Sequence, residues 1–125
     1  MDRRIIAVLI AAVLATMGCA AAGPGEPVVA SVAPGEVVVI EMDDMVYRPQ
    51  RLEVPAGEPV TVRLENHGGI VHDLVFDDGW DSGEVVPGGG ITVEIGPFEA
   101  DTVGWCSVPG HRDAGMELEI VVRDP

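Results

Sequence analysis

Three segments of the chain, Val60-Thr61-Val62-Arg63-Leu64-Glu65, Ile91-Thr92-Val93-Glu94-Ile95 and Met116-Glu117-Leu118-Glu119-Ile120-Val121-Val122, alternate between apolar and polar side chains. A period of two gathers the apolar residues on one face of an extended chain, and no helix can do the same with them. Each segment is therefore expected to be a half-buried strand. Val37–Met42 is an apolar β-branched run, Leu52-Glu53-Val54 a short piece ended by Pro55, and Ile70–Phe76 and Thr102–Cys106 bring the expectation to about seven strands. Pro55-Ala56-Gly57, His67-Gly68-Gly69, Pro87-Gly88-Gly89-Gly90 and Gly96-Pro97 favour chain reversal between them. No segment carries a sustained helical period and no internal repeat is present. The expected fold class is all-β, one antiparallel sandwich in which two sheets share a core.

The first residues follow another logic. Met1-Asp2-Arg3-Arg4 is basic and Ile5–Met17 is uninterruptedly apolar, ending in Gly18-Cys19, the pattern of an export signal. Ile5–Met17 is too short to span a bilayer; counted on through Ala22 it gives a second reading, a retained signal anchor. Cys19 lies between small residues, where a bacterial lipoprotein signal places its lipidated cysteine, with Thr16 where that pattern prefers Leu, Val or Ile. Soluble export after cleavage near Ala20-Ala21-Ala22 is the alternative. Either route places the mature protein outside the cytoplasm, in the cell envelope or periplasm. Gly23 to Gly35, with Pro24, Pro27 and Pro34, reads as a semi-rigid tether. The expected division is a signal over 1–18, a tether over 19–35 beginning at the lipidated Cys19, and one domain over 36–125.

The net charge is −14 at pH 7, and all seven basic side chains are arginines. Nucleic acid is thereby excluded as a partner class. The acidity suits steering of a basic partner or plain solubility, and its densest run, Asp77-Asp78-Gly79-Trp80-Asp81, reads as a solvated loop.

Once Cys19 is lipidated or removed, Cys106 has no cysteine to pair with, and a lone thiol in an oxidising compartment calls for an occupant. Its neighbourhood suggests one. The loop Trp105-Cys106-Ser107-Val108-Pro109-Gly110-His111-Arg112-Asp113-Ala114-Gly115-Met116 offers a thiolate, an imidazole and a thioether, and His72 supplies a second imidazole from upstream. Two histidines, a cysteine and a methionine are the donor set of a mononuclear blue-copper centre. Parity supports the grouping: His72 alternates in phase with Ile70, Leu74 and Phe76, and Met116 with Leu118, Ile120 and Val122. Cys106 shares a face with Thr102 and Gly104 while the bulkier Val103 and Trp105 share the other, so the local pattern alone would bury Trp105; Cys106 turning inward to a metal would turn Trp105 outward. Pro109 stiffens the loop while Gly110 and Gly115 permit tight returns. His67 sits in a turn and reads as a bystander. Met42 and Met45 flank Asp43-Asp44 at a strand end and do not make a methionine-rich strip.

Cys106-Ser107-Val108-Pro109-Gly110-His111 followed by Met116 resembles the ligand loop of the cupredoxins, the plastocyanin and azurin family. Tyr47-Arg48-Pro49, Leu52 through Val60, Glu65-Asn66, Val71-His72-Asp73-Leu74 and Val86-Pro87-Gly88-Gly89 follow that family's order, so the similarity covers about residues 37–122. The resemblance implies a Greek-key sandwich with one type 1 copper ion held by His72, Cys106 and His111, and by Met116 as a long axial ligand. It implies single-electron exchange through the edge of His111, with Val108-Pro109 beside it as docking surface. Two departures stand out. Asp73 takes a place where several members carry Asn or Ser tying the ligand strands together, and the four-residue gaps on both sides of His111 differ from those of plastocyanin and azurin.

Related copper enzymes place histidine directly beside the cysteine, whereas Trp105 and Ser107 stand here, and the binuclear oxidase domain needs a second loop cysteine. An enzyme is therefore not expected, nor a small-molecule substrate. The expected partner is a redox protein such as a cytochrome or an oxidase, the expected state a monomer, and the lipid at Cys19 the expected membrane attachment. Copper binding and delivery with the same ligands is the second reading.

Overall fold

A computed structural model describes residues 28–124, so the expected signal, Cys19 and the first part of the tether lie outside the described residues. Eight strands follow in order: β1 (Val29–Ser31), β2 (Val37–Asp43), β3 (Val46–Arg48), β4 (Arg51–Pro55), β5 (Val60–Asn66), β6 (Gly90–Ile95), β7 (Thr102–Trp105) and β8 (Glu117–Arg123). They form two four-stranded sheets, ordered β1-β4-β8-β7 and β3-β2-β5-β6. The fold is an all-β sandwich.

The alternation read from β5 and β8 is the alternation of burial. Val60, Val62 and Leu64 point into the core with Leu52 and Val54 of β4, Ile40 and Met42 of β2, and Leu118 and Ile120 of β8, while Thr61, Arg63 and Glu65 lie on the outer face. Withdrawing side chains of this size from water stabilises the fold by about 1.5–3 kcal/mol each.

Strand direction differs from the expectation. The pairs β2/β3, β5/β6 and β7/β8 are antiparallel, but β1/β4, β2/β5 and β4/β8 are parallel, so both sheets are mixed. Alternation reports that one face is buried and carries no information on a neighbour's direction. Because the chain crosses to the other sheet at β4 before returning, β5 comes to run alongside β2 in the same sense.

Three local differences accompany this. Val29–Ser31, within the stretch read as tether, forms β1, and the Val32 amide beyond it donates to the Glu53 carbonyl at 2.9 Å. The β-branched Val29 favours extension, and Pro34 lies beyond the strand's end. The short β3 escaped notice because three residues are too few to display a period. Ile70–Phe76, expected as a strand, makes only isolated bridges, His72 to Val85 and Val75 to both Asp81 and Trp105. From His72 to Phe76 every side chain is buried, on both parities, and Ile70, expected in the inward row with His72, is instead 41% exposed. The segment is bridged along its edges to the 81–85 segment and to β7, and with side chains of both parities buried no period of two can show.

Candidate metal centre

Two pieces of chain meet at one end of the sandwich. The first is the β7–β8 connection. Cys106 follows the last residue of β7, and its amide donates to the Met116 carbonyl at 3.1 Å, closing the loop at its base. Inside it the His111 amide donates to Val108 at 3.0 Å and the Met116 amide to His111 at 3.1 Å. Gly110 (φ 83°) and Gly115 (φ 104°) occupy the left-handed region on either side of His111, as the loop's sequence suggested. The second piece carries His72, whose amide and carbonyl both bond to Val85, at 3.2 and 2.8 Å.

All four residues singled out in the sequence are buried: His72 and Met116 completely, Cys106 to 1% exposure and His111 to 4%. Cys106 Sγ lies 3.4 Å from His111 Nδ1 and 3.9 Å from His72 Nδ1, and the two Nδ1 atoms are 3.2 Å apart. These three sides define a triangle whose centre is about 2 Å from each corner, the length of a metal–imidazole bond and close to that of a metal–thiolate bond. The thioether residue Met116 is held across the loop base from Cys106. Two imidazoles, a thiol and a thioether residue, with no carboxylate in the triangle, fit copper and do not fit a hard cation. Burial pushes the Cys106 thiol up, with the Asp73 carboxylate adding to the effect and the amides of Asp73 and Val108 opposing it; a bound cation reverses that balance by favouring the thiolate.

The supporting contacts explain how the donors stay aimed. Asp73 is 5% exposed; one carboxylate oxygen accepts the Ser107 amide at 2.6 Å and the other accepts the Ser107 hydroxyl. This aspartate therefore performs the tie between the two ligand segments. The Tyr47 hydroxyl, buried in the core, donates to the Asp73 carbonyl. Asn66 donates through Nδ2 to Ile70 O at 2.8 Å and Val85 O at 2.7 Å and accepts the Gly68 amide at 2.9 Å, fixing the chain on both sides of His72. Asn66 falls on the same parity as Val60, Val62 and Leu64, so a polar side chain in an inward position signalled its role. Ser107 and Asp44, the latter 3.4 Å from His72 Nε2, gave no comparable signal.

Trp105 is not buried as the local apolar pattern alone would have it, because Cys106 takes the inward face. Cys106 and Gly104 face inward, and Trp105 faces outward at intermediate exposure beneath the Arg112 guanidinium, 4.0 Å from its ring centre. Gly104 carries no side chain because a Cβ there would stand 2.8 Å from Leu74 Cδ1 and 2.9 Å from Phe76. His67 is exposed and contacts Glu65 at 3.2 Å, away from the triangle.

The cupredoxin-like domain family matches this sequence over residues 6–102, which include His72 and end before Cys106. No curated protein sequence matches it. Among solved structures, reduced auracyanin from the photosynthetic bacterium Roseiflexus castenholzii superposes with a TM-score of 0.64 at 18% identity, covering 73% of this chain and 99% of its own. Auracyanin A, a "blue" copper protein from Chloroflexus aurantiacus, gives 0.54 at 20% identity over 70% and 100%. The laccase-like multi-copper oxidase CueO from an Ochrobactrum species gives 0.61 at 15% identity, and there the match spans 78% of this chain and 29% of the oxidase.

Proposed function

The chain belongs to the cupredoxin-like domain family, and from that premise we propose that it is an exported type 1 copper protein that passes single electrons between redox partners. One observation carries this reading: the sulfur of Cys106 and the Nδ1 atoms of His72 and His111 converge to within 3.2–3.9 Å of one another in a buried site. His72, Cys106 and His111 hold the ion in this reading, with Met116 as the weak fourth ligand. Bound there, copper supplies a one-electron Cu(I)/Cu(II) couple.

The protein's own contribution is to keep the donors still. The Asp73–Ser107 tie, the Asn66 bridges and the loop hydrogen bonds hold both ligand segments in place whatever the charge at the centre. Small displacement on electron transfer means a small reorganisation cost. The burial of all four residues excludes water, and the slight exposure of His111 makes its ring the shortest way out. Val108 and Pro109 beside it are the apolar surface a redox protein would rest on.

Three features favour a carrier over an enzyme. Trp105 and Ser107 flank Cys106 where a wired second copper would need histidine, His67 is turned to solvent, and carboxylates are absent from the donor triangle. Export and lipidation at Cys19 rest on residues 1–19 of the sequence alone.

Protein loaded with Cu(II) is expected to show intense visible thiolate-to-copper absorption and reversible one-electron electrochemistry. Cys106→Ser should abolish both; a colourless wild-type complex would sink the proposal. Retention of copper during repeated turnover with a redox partner separates a carrier from a delivery protein, which would surrender its copper to an apo-acceptor.

A further inference from the structure

His72 presents Nδ1 to the donor triangle, which leaves Nε2 facing away from it. What Nε2 meets is the carboxylate of Asp44, at 3.4 Å, delivered by the tight turn between β2 and β3. The turn is built for this. Met45 takes a positive φ of 65°, rare for a residue with a long side chain, and the Asp44 amide bonds to Asp43 Oδ1 at 2.9 Å. Asp44 Oδ1 also accepts the Gly69 amide at 3.0 Å, so one oxygen touches both the ring and the turn that precedes it.

Gly68 gives a second, independent sign. Its φ is not positive, so backbone conformation does not explain why glycine stands there. Space does: a Cβ would lie 2.4 Å from Asp44 Oδ1 and 2.9 Å from His72 Nε2. Any other residue at this position would drive the carboxylate and the ring apart.

We propose that Asp44 is a positioning residue for the copper site, acting through His72. The inference rests on the copper reading above. A carboxylate can only accept, so its contact places the ring proton on Nε2 and leaves the Nδ1 lone pair free for a metal. It also holds the ring plane and sets a negative charge one imidazole away from the ion, which favours Cu(II) over Cu(I). At 3.4 Å the hydrogen bond is long, so orientation and tautomer are the larger part of its effect.

The test compares Asp44→Ala, Asp44→Asn and Gly68→Ala with wild type, and uses Asp113→Asn as a control that removes a carboxylate from the ligand loop without touching His72. Long-range proton–nitrogen correlation spectra of the metal-free protein read the His72 tautomer directly. Wild type should be the Nε2–H form and Asp44→Ala a mixture. In copper-loaded protein, Asp44→Ala and Gly68→Ala should release the ion to a chelator on the order of tenfold faster than wild type, with a raised reduction potential. Asp44→Asn, which restores an acceptor, should recover retention, and Asp113→Asn should match wild type. An unchanged tautomer and release rate in Asp44→Ala, or equal effects in Asp113→Asn, would overturn the role of Asp44. Failure of the wild type to turn blue would instead overturn the copper reading itself.

Discussion

At the scale of single residues, the site is a set of exchanges between polar groups that could not be buried alone. Asp73 illustrates this: its carboxylate is covered, pairs with no arginine among the described residues, and is satisfied by two donors from Ser107. Tyr47, the chain's one tyrosine, is the companion case. Burial, reinforced by the nearby negative groups Cys106 and Asp73, pushes its hydroxyl far above the ordinary tyrosine value of about 10. The folded state therefore keeps the proton that the unfolded chain gives up. Stability from this group is present in full below pH ~10 and is lost as pH rises further, because only the unfolded state then gains by ionising. Ultraviolet titration should show no tyrosinate in native protein under conditions that ionise the unfolded chain, and its appearance should coincide with unfolding; earlier ionisation would contradict the burial. The residues of the donor set were legible because their chemistry is rare and their spacing tight. Asp44 was not, since nothing distinguishes it in sequence from the other acidic side chains and its partner lies 28 residues away.

At the scale of elements, a strand announces itself when one face is wet and the other dry. β5 and β8 satisfied that condition and were read correctly to within a residue or so. The His72 segment did not, its side chains being buried on both parities, so His72 was rightly expected to face inward although the regular strand expected to carry it is absent. Direction of pairing was invisible for the reason that parity is blind to it. β7 shows how closely element and site are fitted: Leu74 and Phe76 from the His72 segment pack on bare Gly104, one position before the Trp105-Cys106 pair. Gly104→Ala should force these side chains off their rotamers and destabilise the fold by about 1–3 kcal/mol, measured by chemical denaturation. Because Gly104 lies two residues before Cys106 and Leu74 two residues after His72, the same variant should broaden the visible band. A neutral change would mean that the two segments are less tightly fitted than their contacts imply.

At the scale of the whole molecule, every arginine among the described residues, Arg48, Arg51, Arg63, Arg112 and Arg123, is paired with a carboxylate. These are exposed pairs worth little individually, but they leave the excess of acid to set the outer field, which favours a basic partner and weakens with salt. The sheets have a different consequence, one of timing. β4 lies parallel to β8 through pairs such as Arg51 and Glu119, 68 positions apart, and β2 reaches β5 only after an excursion through the other sheet. Such distant pairings close late and make folding slow. The loop before β8 gains a fixed relation to His72 only when β8 docks, so the donor triangle is expected to form late in folding rather than to seed it. Refolding of the metal-free chain should accordingly proceed at the same rate with or without copper in the medium, while unfolding slows when copper is present. The ion, on this account, is a late arrival to a finished protein, and whatever supplies it must wait where the folded chain resides.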